Sequence, residues 1–312
     1  MSGVTDIHMR RIAARFGAAM VVSEMVASDA YVQGFEQARL RAEGEGLHPH
    51  IVQLAGCRAG WMAEAAKLAE DTGADIVDIN MGCPAKHVAG GMAGSALMRD
   101  LDHACALIDA VVKAVSRPVT VKMRLGWDHS SLNAPELARR AQDLGVAAIT
   151  VHGRTRQQFY KGVADWKAIA AVREAITIPL IANGDIADAD DARQCLEHSG
   201  ADAVMVGRAT LGKPWLIAQI EAELSDSRWS EPTILVKSEA MTEHYDGLLS
   251  LYGARIAVRH ARKHLAAFAD HAAETGHPLA PEQRQALVTS EDPAVVFGLL
   301  RRIGASGVGV AA

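Results

Sequence analysis

Cysteine is scarce. The four present, Cys57, Cys83, Cys105 and Cys195, are scattered and form no C-x-x-C pair. That spacing excludes a disulfide framework and a thiolate zinc site, and no metal site is expected. Long apolar runs are also missing. No stretch reaches the roughly 18 residues that a membrane helix needs. The first residues, MSGVTDIHMRRIAARFG, lack the apolar core of a secretory leader, so a cytoplasmic location is expected. Positive charge is not in excess. The net charge of −5 rules out a chain that is basic throughout, although it leaves room for a local basic face. Finally, no G-x-G-x-x-G closes the first strand pattern, which argues against a dinucleotide-binding Rossmann domain.

What is present is a repeat of short, almost continuously apolar runs separated by amphipathic stretches. Seven such runs occur, at 18–25, 50–56, 74–80, 118–124, 147–154, 178–185 and 201–208. Runs of this kind suit strands buried on both faces of a parallel sheet. The intervening segments, such as WMAEAAKLAEDTG and APELARRAQDLG, read as helices that stop at glycine. The fold class expected is α/β, a (β/α)8 TIM barrel. Its first strand is expected ahead of residue 1, before the loop-like SGVTD. After Arg208 the pattern changes to helices alone. The expected domains are a barrel over 1–228, a small all-α domain over 233–304 and a small-residue tail over 305–312.

Active sites of such barrels lie just past the C-terminal ends of the strands. Reading those positions gives Gln53, Asn80 with Cys83, Lys122 with Arg124, His152 with Arg154, Asn183-Gly184-Asp185 and Gly207-Arg208. Polar groups thus end six otherwise apolar strands. The glycine-containing NGD and GRA loops follow the last two strands, where backbone N–H groups commonly bind phosphate. Lys122 brings a compact positive charge suited to a reduced, anionic flavin ring, and Gln53 suits the flat edge of such a ring.

The segments DINMGCPAKHVAGGMAGSALMRD, VTVKMRLGWD, ITVHGRTRQQFYKG, IPLIANGDI, GADAVMVGRATLGKPWLI and ARKHL together resemble the tRNA-dihydrouridine synthases, with the bacterial B-type branch the nearest likeness. The resemblance spans nearly the whole chain. It implies an FMN-bound barrel followed by a helical tRNA-binding domain, and reduction of the C5=C6 bond of D-loop uridines with NADPH as reductant. It implies that hydride passes from FMN N5 to C6 and that Cys83 gives the proton to C5. It further implies FMN contacts at Gln53, Lys122, Asn183, Gly184, Asp185, Gly207 and Arg208, with His152 beside the flavin or its phosphate. Met1 and Ser2 stand where the family's flavin-contacting Met-Ala/Ser lie. Asn80 and Arg124 correspond to groups that help hold a flipped uracil.

The proposed acid suits a lone cysteine. A thiol with an ordinary pKa near 8.5 is mostly protonated at neutrality yet can give up its proton, and the role needs no adjacent base. A base inside folded RNA must be taken out of the stack, and positive charge must hold the backbone meanwhile. Arg154, Arg156 and Lys161 after the fifth strand, and Arg255, Arg259, Arg262, Lys263 and His264 in the helical part, are the candidate contacts. A monomer with no obligate protein partner is expected. Two alternatives stay open: a flavin barrel acting on a free small molecule of the dihydroorotate type, and a tRNA-binding protein without redox activity.

Overall fold

The computed structural model describes residues 1, 3–85 and 92–307. Its described residues form two compact units. The first comprises Met1 and 20–207, and the second 3–19 and 208–307.

In the first unit the seven apolar runs become seven parallel strands: β1 (Val21–Ala27), β2 (His50–Ala55), β3 (Ile76–Met81), β4 (Val119–Arg124), β5 (Ala148–His152), β6 (Leu180–Asn183) and β7 (Ala203–Met205). They pair in sequence order, β1 to β7. This is the strand succession of a TIM barrel, and among the described residues β1 and β7 are its two edges. Helices return the chain between most strands, as parallel pairing requires. Asp165 and Asp188 cap two of these helices through their side-chain oxygens, and Gly200, at φ +62°, ends the second in a left-handed turn.

The register aligns the strand ends. Asn80 pairs with Lys122, Arg124 with His152, and His152 with Asn183. One level deeper, Gln53 pairs with Asp78 and Asp78 with Thr120. Because side chains alternate along a strand, Asp78 and Asn80 share one face of β3. Val77, Ile79 and Met81 take the other and are fully buried.

The second unit is all helical. Thr233 caps the helix Ile234–Tyr252, Gly253 turns the chain, and the helix Ala254–Glu274 runs back beside it. Its core contains Trp215, Met241, Tyr245, Leu265, Phe268 and Leu300. The N-terminal helix Ile7–Arg15 belongs here too, and Phe16 meets Trp215 edge-on at 5.9 Å. No helix among the described residues is long and apolar enough to cross a membrane.

Candidate active site

The site is best read outward from Cys83. Asn80, near the end of β3, turns its Oδ1 back to accept the N–H groups of Gly82 (3.2 Å) and Cys83 (2.9 Å). The Cys83 carbonyl accepts both the N–H and the hydroxyl of Ser95, at 3.0 and 2.9 Å. The main chain is therefore held on either side of the thiol, while Cys83 itself stays partly exposed.

Behind Asn80 runs a buried amide relay. Asn80 Nδ2 donates to Gln53 Oε1 at 2.8 Å, and Gln53 Nε2 donates to Asp78 Oδ2 at 2.8 Å. Thr120 donates to the other Asp78 oxygen at 2.6 Å. The polar atoms of Asn80 thus point to the Cys83 turn and to Gln53, which makes it a positioning group for the thiol. The sequence reading passed over Asp78, although a carboxylate inside the run ADIVDIN was the available signal.

Burial raises the Asp78 carboxyl to about 6, against its hydrogen bonds and the Lys122 charge. Burial and the neighbouring Arg124 charge lower the Lys122 ammonium to about 8, against Asp78. The Lys122 ammonium makes no hydrogen bond or ion pair with a described residue, although the Asp78 charge acts on it. Asp78 holds a proton more firmly folded than unfolded. Its contribution to stability is therefore whole below pH about 4 and is lost as pH rises through about 6. The expected outcome is a fall of up to about 3 kcal/mol in wild-type stability across that window, absent in Asp78→Asn. Urea unfolding at a series of pH values measures it.

Arg124 and Arg154 sit differently from the sequence expectation. Arg124 is buried and donates Nε to Gly82 O at 2.8 Å and Nη1 to Thr155 O and Phe159 O, both at 2.9 Å. It fastens the Cys83 turn to the loop after β5. Arg154 is only 2% exposed. Its Nη2 donates to Gly162 O at 2.7 Å and pairs with Asp185 Oδ2 at 2.5 Å, and its Nε reaches Lys161 O. A guanidinium so enclosed has no surface to offer an RNA backbone, which corrects the expected phosphate contact. Asp185 also accepts the Ala164 N–H at 2.8 Å, so its carboxylate organises this loop.

The β5–β7 ends come together as well. His152 Nε2 lies 3.2 Å from Arg154 Nη1. Asn183 donates to Met205 O at 2.7 Å. Gly184 has φ +122°, and a Cβ there would lie 2.8 Å from both the His152 ring and Ala164, so only glycine fits. A Cβ on Gly207 would meet Met1 Sδ at 3.6 Å and Asn183 Nδ2 at 4.0 Å, which places Met1 beside the last strand. Ser2 lies outside the described residues. Arg208 opens the second unit as the first residue of the short turn Arg208–Thr210.

In the second unit Arg255, Arg259 and Arg262 are exposed on the helix Ala254–Glu274, and Lys263 is half-buried. His264 is not on that surface. It is buried in the unit's interior, which corrects its place among the RNA contacts.

A TIM-barrel sheet carrying a partly exposed thiol on a pinned turn, a lysine with no hydrogen-bond partner among the described residues and a glycine-lined strand end is suited to an oxidoreductase of the flavin-dependent class. Comparison with known proteins narrows this. The family model for dihydrouridine synthase (Dus) matches residues 1–293. The chain is 54% identical over 300 residues to a probable tRNA-dihydrouridine synthase of Rhizobium leguminosarum bv. phaseoli, covering 96% of this chain and 92% of that protein. It is 42% identical over 303 residues to tRNA-dihydrouridine synthase B of Xanthomonas campestris pv. campestris, covering 96% and 90%. Among solved structures, histamine dehydrogenase from Rhizobium sp. 4-9 shares the fold, with a TM-score of 0.52 at 14% identity over 78% of this chain and 47% of that one. The chain belongs to the dihydrouridine synthase family.

Proposed function

We propose that this protein reduces the C5=C6 bond of D-loop uridines in tRNA to 5,6-dihydrouridine, with FMN as cofactor and NADPH as reductant. The observation that carries the reading is the Cys83 turn: a partly exposed thiol whose main chain is fixed by Asn80 and Ser95, with Arg124 holding the preceding Gly82 carbonyl, near a lysine that has no hydrogen-bond partner among the described residues. The residues present fit a flavin. The Lys122 ammonium has no hydrogen-bond partner among the described residues, and glycine at 184 keeps that strand end free of a side chain, as a close approach of phosphate to backbone requires. Gln53, Lys122, His152, Asn183, Gly184, Gly207 and Met1, together with Ser2, Asp185 and Arg208, are the proposed cofactor-binding set.

When bound, the flavin supplies the hydride that uracil C6 receives. The protein's own residues do the rest. Cys83 holds a proton at Sγ for uracil C5. Asn80 fixes the direction of the thiol, and Gln53 fixes Asn80. Lys122 keeps positive charge where negative charge develops. Arg124 holds the Cys83 turn and the β5 loop together. We assign cofactor binding and chemistry to residues 1–228 and tRNA binding to 233–304, with 305–312 as a tail, of which 308–312 lie outside the described residues. Arg259, Arg262 and Lys263, on the second helix of the hairpin, supply the phosphate contacts.

Purified protein with FMN, NADPH and an unmodified tRNA transcript tests the reading, with dihydrouridine mapped by nucleoside mass spectrometry. Product in the D-loop is the expected result. Reduction of free uridine or orotate in place of tRNA would overturn it in favour of a small-molecule enzyme. Binding of tRNA without flavin retention would overturn it in favour of a binding protein. Arg259→Glu is expected to weaken tRNA binding and to reduce the slope of log affinity against log salt by about 1. A salt titration by filter binding reads it, and an unchanged slope removes Arg259 from the RNA surface.

A further inference from the structure

Asp6, His244 and His264 meet inside the second unit, and the proposed chemistry uses none of them. All three are buried, at 4%, 1% and 1% exposure. Asp6 precedes the helix Ile7–Arg15 and caps it, its Oδ1 accepting the N–H groups of His8 and Met9, each at 3.1 Å. Its other oxygen lies 2.9 Å from His244 Nε2. The His264 ring stands edge-on to that of His244, with centroids 4.5 Å apart and planes at 78°. Both nitrogens of His264 are buried and have no hydrogen-bond partner among the described residues.

That last feature demands an explanation. A buried polar group left unpaired is costly, and an imidazole ordinarily satisfies at least one nitrogen. The cluster itself supplies the answer, because one donor atom from each residue lies within 4.8 Å of the others. We propose that Asp6, His244 and His264 bind one divalent transition-metal ion of the zinc class.

The donor set argues for that class. Two imidazole nitrogens and one carboxylate oxygen suit zinc and its late first-row neighbours, whereas calcium and magnesium call for all-oxygen shells. With bonds of about 2 Å, tetrahedral ligand atoms lie about 3.3 Å apart, so a pair at the 4.8 Å limit closes by about 1.5 Å on loading. Three protein ligands leave a fourth position for water. Asp6 Oδ1, still capping the helix, orients the ligand from behind. The ion joins the N-terminal turn to both helices of the hairpin, and its role is to staple that unit.

The test uses the full chain without an affinity tag, stripped by chelator and then given one equivalent of Zn²⁺ or Co²⁺. After gel filtration the wild type is expected to retain about one equivalent, and the Co²⁺ form to show the strong visible absorption of a tetrahedral site. His264→Ala is expected to retain less than about a tenth of this, while exposed-site His129→Ala behaves as wild type. The wild type is also expected to melt higher with Zn²⁺ than without. Equal retention by wild type and a folded His264→Ala would overturn the proposal. Should that variant fail to fold, the wild-type Co²⁺ spectrum decides alone, and absence of the tetrahedral bands overturns it.

Discussion

Cys83→Ala is expected to bind flavin and to oxidise NADPH as the wild type does, while uridine reduction falls by about 10²- to 10⁴-fold, the usual worth of a general acid. The structure makes this separation sharp. The contacts that place residue 83 run through its main chain: its N–H to Asn80 and its carbonyl to Ser95. Alanine keeps them all and removes only the sulfur. Single-turnover measurement of dihydrouridine, beside NADPH consumption under air, reads the two effects apart. Parallel loss of flavin, NADPH oxidation and product would show instead that Cys83 serves packing. Asn80→Ala offers the complementary case, because it keeps the thiol and removes its aim. Its expected signature is a slower uridine step with the flavin still bound.

The second large effect concerns stability. Arg154→Met is expected to destabilise the first unit by about 3 kcal/mol, the lower end for breaking a buried ion pair, since Asp185 still reaches solvent in part. The substitution strips partners from the Asp185 carboxylate and from the carbonyls of Lys161 and Gly162. Asp185→Asn retains an oxygen for the Ala164 N–H and is expected to cost less. Urea midpoints for the two variants, with the slope checked for constancy, measure the difference. A shift below about 0.5 kcal/mol for Arg154→Met would mean that the pair is mutually dispensable.

Both effects bear on how far the sequence could be read. All seven strands were legible because each lies in a nearly continuous apolar run, even β7, where Ala203 is exposed and Val204 and Met205 are half-buried, and the polar residues ending them marked the site. The boundaries moved by a few residues: β1 begins at Val21 rather than 18, since the run AAMVV starts before pairing does. The roles of Arg124 and Arg154 were not legible. Their acceptors are mostly backbone carbonyls, which every residue owns and no motif records. Asp78 was hidden by its neighbours, being a carboxylate in a run that reads as apolar. His264 looked like one more basic residue on a helical face, because spacing along a helix does not say which face is buried. Asp6 and His244 stand 238 positions apart, and only the packing of the N-terminal helix in the second unit brings them together.

Arg124 carries one more consequence, for the kinds of change the loop after β5 can absorb. Its guanidinium recognises the main-chain oxygens of Thr155 and Phe159, not their side chains. Replacing Phe159 leaves its acceptor in place, whereas Thr155 is fully buried and its hydroxyl accepts the Gln158 N–H. Inserting or deleting one residue between them would carry an acceptor out of reach and loosen the Gly82 turn that the same side chain holds. The segment is thus more permissive in identity at 159 than at 155, and strict in length. A library of substitutions and single-residue indels across 155–159 would show the two tolerances separating.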